Sequence, residues 1–164
     1  MNNIIEVKNV SKKIKGKEII DDISFNIEKG DIYGFVGPNG AGKTTMIRLL
    51  TGLIKPSFGK VSINGIDVNK DRPGALLNLG AIVECPIFFD YMTGREILKN
   101  LVRLHPNIPK GERDKRVEEV LNIVDLKLKE NDKVSTYSLG MKQRLGIAQA
   151  LLGKLEIIIL LYKI

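Results

Sequence analysis

Eight consecutive residues, Gly37-Pro38-Asn39-Gly40-Ala41-Gly42-Lys43-Thr44, spell G-x-x-x-x-G-K-[ST]. That run constrains the fold because it works only where a strand turns sharply into a helix. The apolar stretch Ile32-Tyr33-Gly34-Phe35-Val36 precedes it, and Thr45-Met46-Ile47-Arg48-Leu49-Leu50 follows with no breaker. The reading is strand, loop, helix, with Thr51-Gly52 and then Pro56 ending the helix. The glycines permit a tight turn whose N–H groups converge on a polyphosphate at the helix N-terminus, where orphan donors and the helix dipole favour negative charge. Lys43 is placed to reach the β- and γ-phosphates of a nucleoside triphosphate, and the Thr44 hydroxyl to ligate Mg²⁺. The nucleotide-binding set expected from this segment is Gly37, Pro38, Asn39, Gly40, Ala41, Gly42, Lys43, Thr44 and Thr45.

The rest of the chain supplies a setting for that corner. Residues 4–10 and 23–27 alternate apolar and polar side chains, as strands with one buried face do, with a turn at Lys15-Gly16-Lys17 between them. Residues 60–63 and 65–68 flank Asn64-Gly65 and read as a small hairpin. Ala81-Ile82-Val83 is a short buried strand. After Pro86 the pattern turns helical, over 95–104, over 112–124 with Val117, Val120, Leu121 and Val124 on one face, and over about 140–152. The apolar run Ile157 to Tyr162 suits a buried strand.

At 164 residues, 43% of them hydrophobic, the chain is long enough for one core and short for two domains. Its start, Met1-Asn2-Asn3-Ile4-Ile5-Glu6, has no basic-then-apolar pattern of a secretory signal, and no apolar run reaches membrane-spanning length. A lone Cys85 leaves no internal disulfide to expect and fits a reducing compartment. The net charge of +7 favours anionic partners, but the lysines are scattered and stand without interleaved aromatics, so nucleic acid is not among the expected partners.

A phosphate loop alone does not separate kinases, GTPases and motor ATPases. Tyr137-Ser138-Leu139-Gly140-Met141-Lys142-Gln143-Arg144, at the start of the third helix, resembles the signature motif of ATP-binding cassette (ABC) ATPases. Together with the loop at Gly37 to Thr44, it makes the chain similar to the nucleotide-binding subunit of an ABC transporter from Ile4 to about Leu160. The resemblance implies an α/β P-loop NTPase core with an antiparallel β subdomain and a helical insert. Divided accordingly, the chain has a β and phosphate-loop core over 1–86, a helical subdomain over 87–152 and a last strand over 153–164 of a core sheet whose C-terminal part is missing. It also implies ATP and Mg as cofactors, a transmembrane permease subunit as partner, and a cytoplasmic position at the inner face of the membrane. In this family Ser138 and Gly140 would close on the γ-phosphate of ATP held by a second nucleotide-binding subunit, in a head-to-tail dimer. Leu139 and Met141 depart from the commoner glycine and glutamine. Ala81-Ile82-Val83-Glu84-Cys85-Pro86 with Met92-Thr93-Gly94-Arg95-Glu96 resembles the loop whose usual glutamine touches Mg²⁺ and contacts the permease. Here that position is Glu84, and a glutamate there looks like the bacitracin and lantibiotic export group.

Two departures bear on function. The position where many family members stack adenine on an aromatic ring falls at Ile14, and no aromatic occurs before Phe25. The family's Asp-Glu pair after the apolar strand, which supports Mg²⁺ and polarises the attacking water, falls on Leu161 and Tyr162, so no catalytic carboxylate is expected. The family's switch histidine is absent, and His105 sits in a Pro-flanked loop that does not suit the role. A family-like sequence to Leu160 followed by unrelated residues suggests a frameshift or premature stop. By resemblance the strand absent after residue 164 would lie between 32–36 and 157–160, leaving an unpaired apolar edge. The leading expectation is an ATP-binding subunit coupling ATP binding and hydrolysis to export of antibiotic peptides. The alternative is a non-catalytic fragment that at most binds nucleotide. A soluble ABC-type ATPase working on DNA or ribosomes is disfavoured for want of a coiled coil or second cassette. A small-molecule kinase is disfavoured because it leaves the signature helix unexplained.

Overall fold

A computed structural model describes residues 3–83 and 86–161, in two compact units that divide between Leu77 and Asn78. The first is built on a four-stranded antiparallel sheet of order β2-β1-β3-β4. Strands β1 (Asn3–Ile14) and β2 (Lys17–Glu28) join through Lys15-Gly16, both with positive φ, the primed turn that matches the twist of a two-residue hairpin. Asn64-Gly65 does the same between β3 (Phe58–Ile63) and β4 (Ile66–Asp67). Register places Val7 opposite Phe25 on one side and Val61 on the other, and Val7 and Val61 are wholly buried. β4 is shorter than its apolar pattern predicts, because the Asp67 carboxylate accepts the N–H groups of Asn69 and Lys70 and turns the chain out of the ladder.

The ladder of β1 slips between Val7 and Val10 against β2 and between Lys8 and Ser11 against β3. Asn9 and Asp22 take left-handed backbone there, a conformation their short polar side chains tolerate. Side chains replace the lost ladder partners: Asn9 N–H donates to Ser24 Oγ at 2.8 Å, Asp22 N–H to Ser11 Oγ at 2.9 Å, and Asn9 Nδ2 to Asp22 Oδ1 at 3.0 Å. The helix α1 (Lys43–Leu50) buries Met46, Ile47, Leu49 and Leu50, one face at helical spacing. A short helix, α2 (Arg72–Leu76), follows β4, capped by Asp71, whose carboxylate accepts Gly74 N–H at 3.0 Å.

The predicted strand at 32–36 differs. It joins no ladder among the described residues. Its odd side chains still meet β2, with the half-exposed Tyr33 stacked on Phe25 at 5.2 Å and Phe35 set edge-on to Phe25 at 5.5 Å. Its even ones do not: Ile32 is 103% and Val36 97% exposed. The alternation of a strand is present and the neighbour that would pair its N–H and C=O groups is not among the described residues.

The second unit holds a parallel pair, β5 (Leu79–Ile82) with β6 (Ile157–Leu160), and the helices α3 (Gly94–Leu101), α4 (Arg113–Ile123) and α5 (Leu139–Leu151). Val117, Val120 and Leu121 of α4 are fully buried in a cluster with Ile97, Leu98, Leu145 and Leu152. α3 begins with a reciprocal capping box, Glu96 N–H to Thr93 Oγ1 and Thr93 N–H to Glu96 Oε2. The bond from Thr93 N–H first, and the Thr93 side chain second, hold the Glu96 carboxyl below its ordinary range. At the other end of the unit, the Arg116 guanidinium donates to the carbonyls of Leu151, Leu152 and Gly153 and so closes the C-terminus of α5.

Candidate functional site

The phosphate loop runs from Gly37 to Gly42 and ends as the N-cap of α1. Gly40 and Gly42 have φ near +87° and +86°, which a side chain would oppose. Gly42 is also pressed against β2, where a Cβ would lie 2.8 Å from Ile20 Cδ1 and 3.0 Å from Ile19 O. Because the cap is glycine, no side chain occupies the first-turn N–H groups of α1, and these donors face the loop. The first intrahelical bond, Met46 N–H to Gly42 O, is 2.8 Å. Ala41 N–H donates to Pro38 O at 3.2 Å and folds the loop back on itself.

Lys43 lies inside this curl. Its ammonium donates to Gly37 O at 2.6 Å and Pro38 O at 2.8 Å, so the cation is held at the loop mouth by carbonyls that a more negative ligand can replace. Residues 37–41 are exposed, Gly42 is buried, and Lys43, Thr44 and Thr45 are half-buried. The loop thus combines helix-end donors, a fixed ammonium and a hydroxyl on one side of a single turn, an arrangement suited to a polyphosphate with its metal.

Ser138 and Gly140 lie in the second unit, at the start of α5. Ser138 is the N-cap, its Oγ accepting Met141 N–H at 3.2 Å. Ser138, Leu139 and Gly140 are exposed, with Leu139 at 72%. Sequence reasoning did not foresee how this helix is anchored. Lys142 Nζ pairs with Asp90 Oδ1 at 3.0 Å, across 52 residues. Ser135 N–H donates to Asp90 O, Val134 N–H to Met92 O, and Pro86 sits against Gly146. Arg144 donates to the carbonyls of Val124 and Asp125 and closes the end of α4. No local pattern announces pairs so far apart in the chain.

Glu84 and Tyr162 lie outside the described residues. Leu161 is half-buried, and its N–H donates to Ile82 O at 2.8 Å, which extends the β5–β6 ladder by one bond. Ile14 is 42% exposed beside the β1–β2 turn. His105 is half-buried, with its ring against Gly153, and burial first, then the Arg116 charge, hold its pKa below the ordinary 6.5. Among the described residues no three His, Cys, Asp or Glu side chains gather as a metal site, and no helix is long and apolar enough to cross a membrane.

A glycine-capped helix behind a curled phosphate loop, with an antiparallel sheet beside it and a helical unit following, defines an α/β P-loop NTPase domain. The ABC transporter family model matches residues 20–160, and the chain belongs to that family. It is 46% identical over 160 residues to an uncharacterised ABC transporter ATP-binding protein of Bacillus subtilis, YhcH, covering 98% of this chain and 51% of that protein. It is 43% identical over 163 residues to the bacitracin transport ATP-binding protein BcrA of Bacillus licheniformis, with 98% and 51% covered. Among solved structures, an ATP-binding subunit of an ABC transporter superposes with TM-score 0.83 at 27% identity, over 96% of this chain and 65% of that one. The ATP-binding cassette MJ0796, in a dimeric post-hydrolysis state bound to ADP and Pi, does so with TM-score 0.81 at 28% identity, over 95% and 72%. The chain spans about half the length of the curated relatives it matches.

Proposed function

We propose that this chain is the ATP-binding part of an ABC transporter subunit, with Mg-ATP held by Gly37 to Thr45. The observation that carries the reading is the open N-terminus of α1, its donors uncapped and the Lys43 ammonium parked on loop carbonyls that a phosphate displaces. Thr44, in the first turn beside Lys43, offers the hydroxyl that fits a Mg²⁺ shared with the phosphates. The metal, when bound, neutralises charge on the terminal phosphates. Ser138 and Gly140, exposed at the start of α5, would meet the nucleotide of a second such subunit, and Glu84 would serve as a Mg²⁺ and permease-contacting position. The protein would then stand at the inner face of the membrane beside a permease, coupling ATP binding and hydrolysis to export. Resemblance to bacitracin transport proteins at 43% and 36% identity supports an antibiotic-peptide cargo.

Titration of the chain with a fluorescent ATP analogue and Mg²⁺ tests the core of this reading. Binding is expected to be saturable, displaceable by ATP, and lost in Lys43→Ala with the helical content unchanged. Equal binding by the variant would refute it.

A second reading rests on the resemblance, by which Leu161 and Tyr162 would fall at the positions of the family's metal-supporting and water-polarising carboxylates. Neither can act as general base, so in this reading the chain binds nucleotide without turning it over. The expected ATPase rate of the purified chain equals that of Lys43→Ala. A rate well above that control would overturn the non-catalytic reading.

A further inference from the structure

The antiparallel sheet of the first unit brings together lysines that are scattered in the sequence. Val7 and Val61 face the core, so by strand alternation Lys8 and Lys60, directly opposite each other in the β1–β3 ladder, lie on the other face. Like charges at such a position oppose the pairing. Lys8 is relieved by Glu6 Oε2 at 2.8 Å, whereas the exposed Lys60 has no carboxylate partner among the described residues.

Beyond the bulge the same two strands add more charge. Ser57 N–H donates to Ser11 O at 2.8 Å and Lys13 N–H to Ser57 Oγ at 3.0 Å, which pins the start of β3 to β1. Lys12 Nζ donates to Lys55 O at 2.6 Å and keeps its charge, and Lys55 is itself exposed without a carboxylate partner among the described residues. The acids of this stretch are engaged elsewhere: Glu6 by Lys8, Glu18 by Lys13 at 3.6 Å, and Asp22 by Asn9 Nδ2 on the β2 side. Lys12, Lys55 and Lys60 stay uncompensated.

Between Lys55 and Lys60 in the chain, and opposite Ser11, stands Phe58, 70% exposed. Its backbone is no loose loop, because the adjoining Gly59 is pressed against the Asn9 and Lys8 carbonyls. A lone exposed apolar side chain needs no explanation. One flanked by uncompensated ammonium groups supplies the two signals of a peripheral membrane contact, an apolar wedge and a basic patch. Single-stranded nucleic acid would call for a platform of successive rings, and the other rings of this unit, Phe25, Tyr33 and Phe35, pack on one another instead.

We propose that this end of the sheet docks on an anionic phospholipid bilayer, Phe58 entering the headgroup layer while Lys12, Lys55 and Lys60 meet lipid phosphates. The contact uses no residue of the phosphate loop or of the start of α5, and it does not rest on the nucleotide-binding reading.

Flotation of the purified chain with vesicles of phosphatidylglycerol, set against vesicles of phosphatidylcholine, tests it. Binding is expected to the first and not to the second, and to weaken as salt rises. Lys55→Gln and Lys60→Gln are each expected to weaken partition by about fivefold. Phe58→Ser is expected to weaken it by about fivefold or more. Replacing Lys115 and Lys154, exposed lysines of the second unit, together by glutamine removes as much charge as the first two changes combined and is expected to alter partition by less than about twofold. The chain has no tryptophan, so Phe58→Trp provides a single reporter, whose emission is expected to shift to the blue on phosphatidylglycerol vesicles alone. Unshifted emission from that variant overturns the proposal, as does equal binding to both kinds of vesicle. An equal loss on replacing Lys115 and Lys154 does the same, since binding would then follow net charge and not this face. Binding to a single-stranded oligonucleotide but not to vesicles, lost in the Lys55 and Lys60 variants, assigns the patch to nucleic acid and overturns it too. So does a dimer in the absence of vesicles that Phe58→Ser dissociates.

Discussion

Replacing Arg116 with methionine isolates a single electrostatic device. The guanidinium donates to Leu152 O at 3.1 Å, Leu151 O at 2.7 Å and Gly153 O at 3.1 Å, where the last carbonyls of α5 would otherwise lack partners. A hydrogen bond to a charged group is worth roughly 1.5–3 kcal/mol. The three share one cation whose side chain is 27% exposed, and water recovers part of the loss, so the sum is discounted to about 3 kcal/mol. The salt bridge of the same side chain to Glu119, at 3.1 Å and 45% exposed on the glutamate side, adds little. Arg116→Lys keeps a charge that reaches one carbonyl at a time and is expected to lose about half as much. Urea denaturation of the chain, followed by circular dichroism, should show the midpoint falling and the slope unchanged. A methionine variant within about 0.5 kcal/mol of the parent would refute the reasoning.

The same substitution has a second, independent readout. His105 is the one histidine of the chain, so its ring protons titrate without overlap in NMR. Its pKa is expected below 6.5 in the parent, and to rise in Arg116→Met without regaining 6.5, because burial is the larger cause and the Arg116 charge the smaller. The depressed value means that the unfolded chain binds this proton more readily than the folded one. Stability from His105 is therefore fully present above about pH 6.5 and is lost as pH falls through the folded value. A His105 that titrates at the ordinary pH in the parent contradicts the packing of its ring against Gly153.

Thr93→Ala removes the oxygen that accepts Glu96 N–H and should cost about 1 kcal/mol in urea denaturation. No loss would mean that the cap of α3 is replaced by water. The Glu96 carboxyl should move up only in part in the same variant in a carboxylate NMR titration, because the Thr93 N–H, the larger cause of its lowering, remains; what it contributes in the parent is present above its unfolded value and lost as pH falls through the folded one. Gly59→Ala places a Cβ against the Asn9 and Lys8 carbonyls at a φ of +79° and should destabilise by about 3 kcal/mol or more, read as a fall in melting temperature. A melting temperature within a degree of the parent would deny the close approach of β3 to the bulge in β1. Tyr137→Phe deletes the 2.6 Å bond to Lys129 O, with an expected cost of about 1 kcal/mol and faster amide exchange over residues 129–133. Unchanged exchange there would show that the phenol does not hold that turn.

How far the sequence could be read depended on the range of the interaction. The turn from the glycine-rich loop into α1 was legible because it is local: the glycines, Lys43 and Thr44 lie within one turn of one another. The buried face of α4 was legible for the same reason, since Val117, Val120 and Leu121 follow from helical period alone. α2 was not, because Arg72-Pro73-Gly74 reads as a breaker until Asp71 is seen to cap it. The run at Ile32 to Val36 shows the opposite error. Its apolar character before the glycine-rich loop reads as a strand, but a ladder needs a neighbour, which a local run cannot supply. The Asp90–Lys142 pair and the Arg116 clamp join residues distant in the chain, and no local window of sequence contains both partners.

The parallel pairing of β5 with β6 bears on the order in which the second unit comes together. Leu79 meets Ile157, and almost the whole unit lies between them. Closing so long a loop while it is still flexible carries an entropic cost that a four-residue ladder does not offset. Once Ile97, Leu121 and Leu145 have joined in one cluster, the same two ends are held near each other by structure already formed. The ladder is therefore expected to form after the helical cluster, so that amide protection of Ile157 to Leu160 follows that of α4 and α5 in a pulse-labelling refolding experiment.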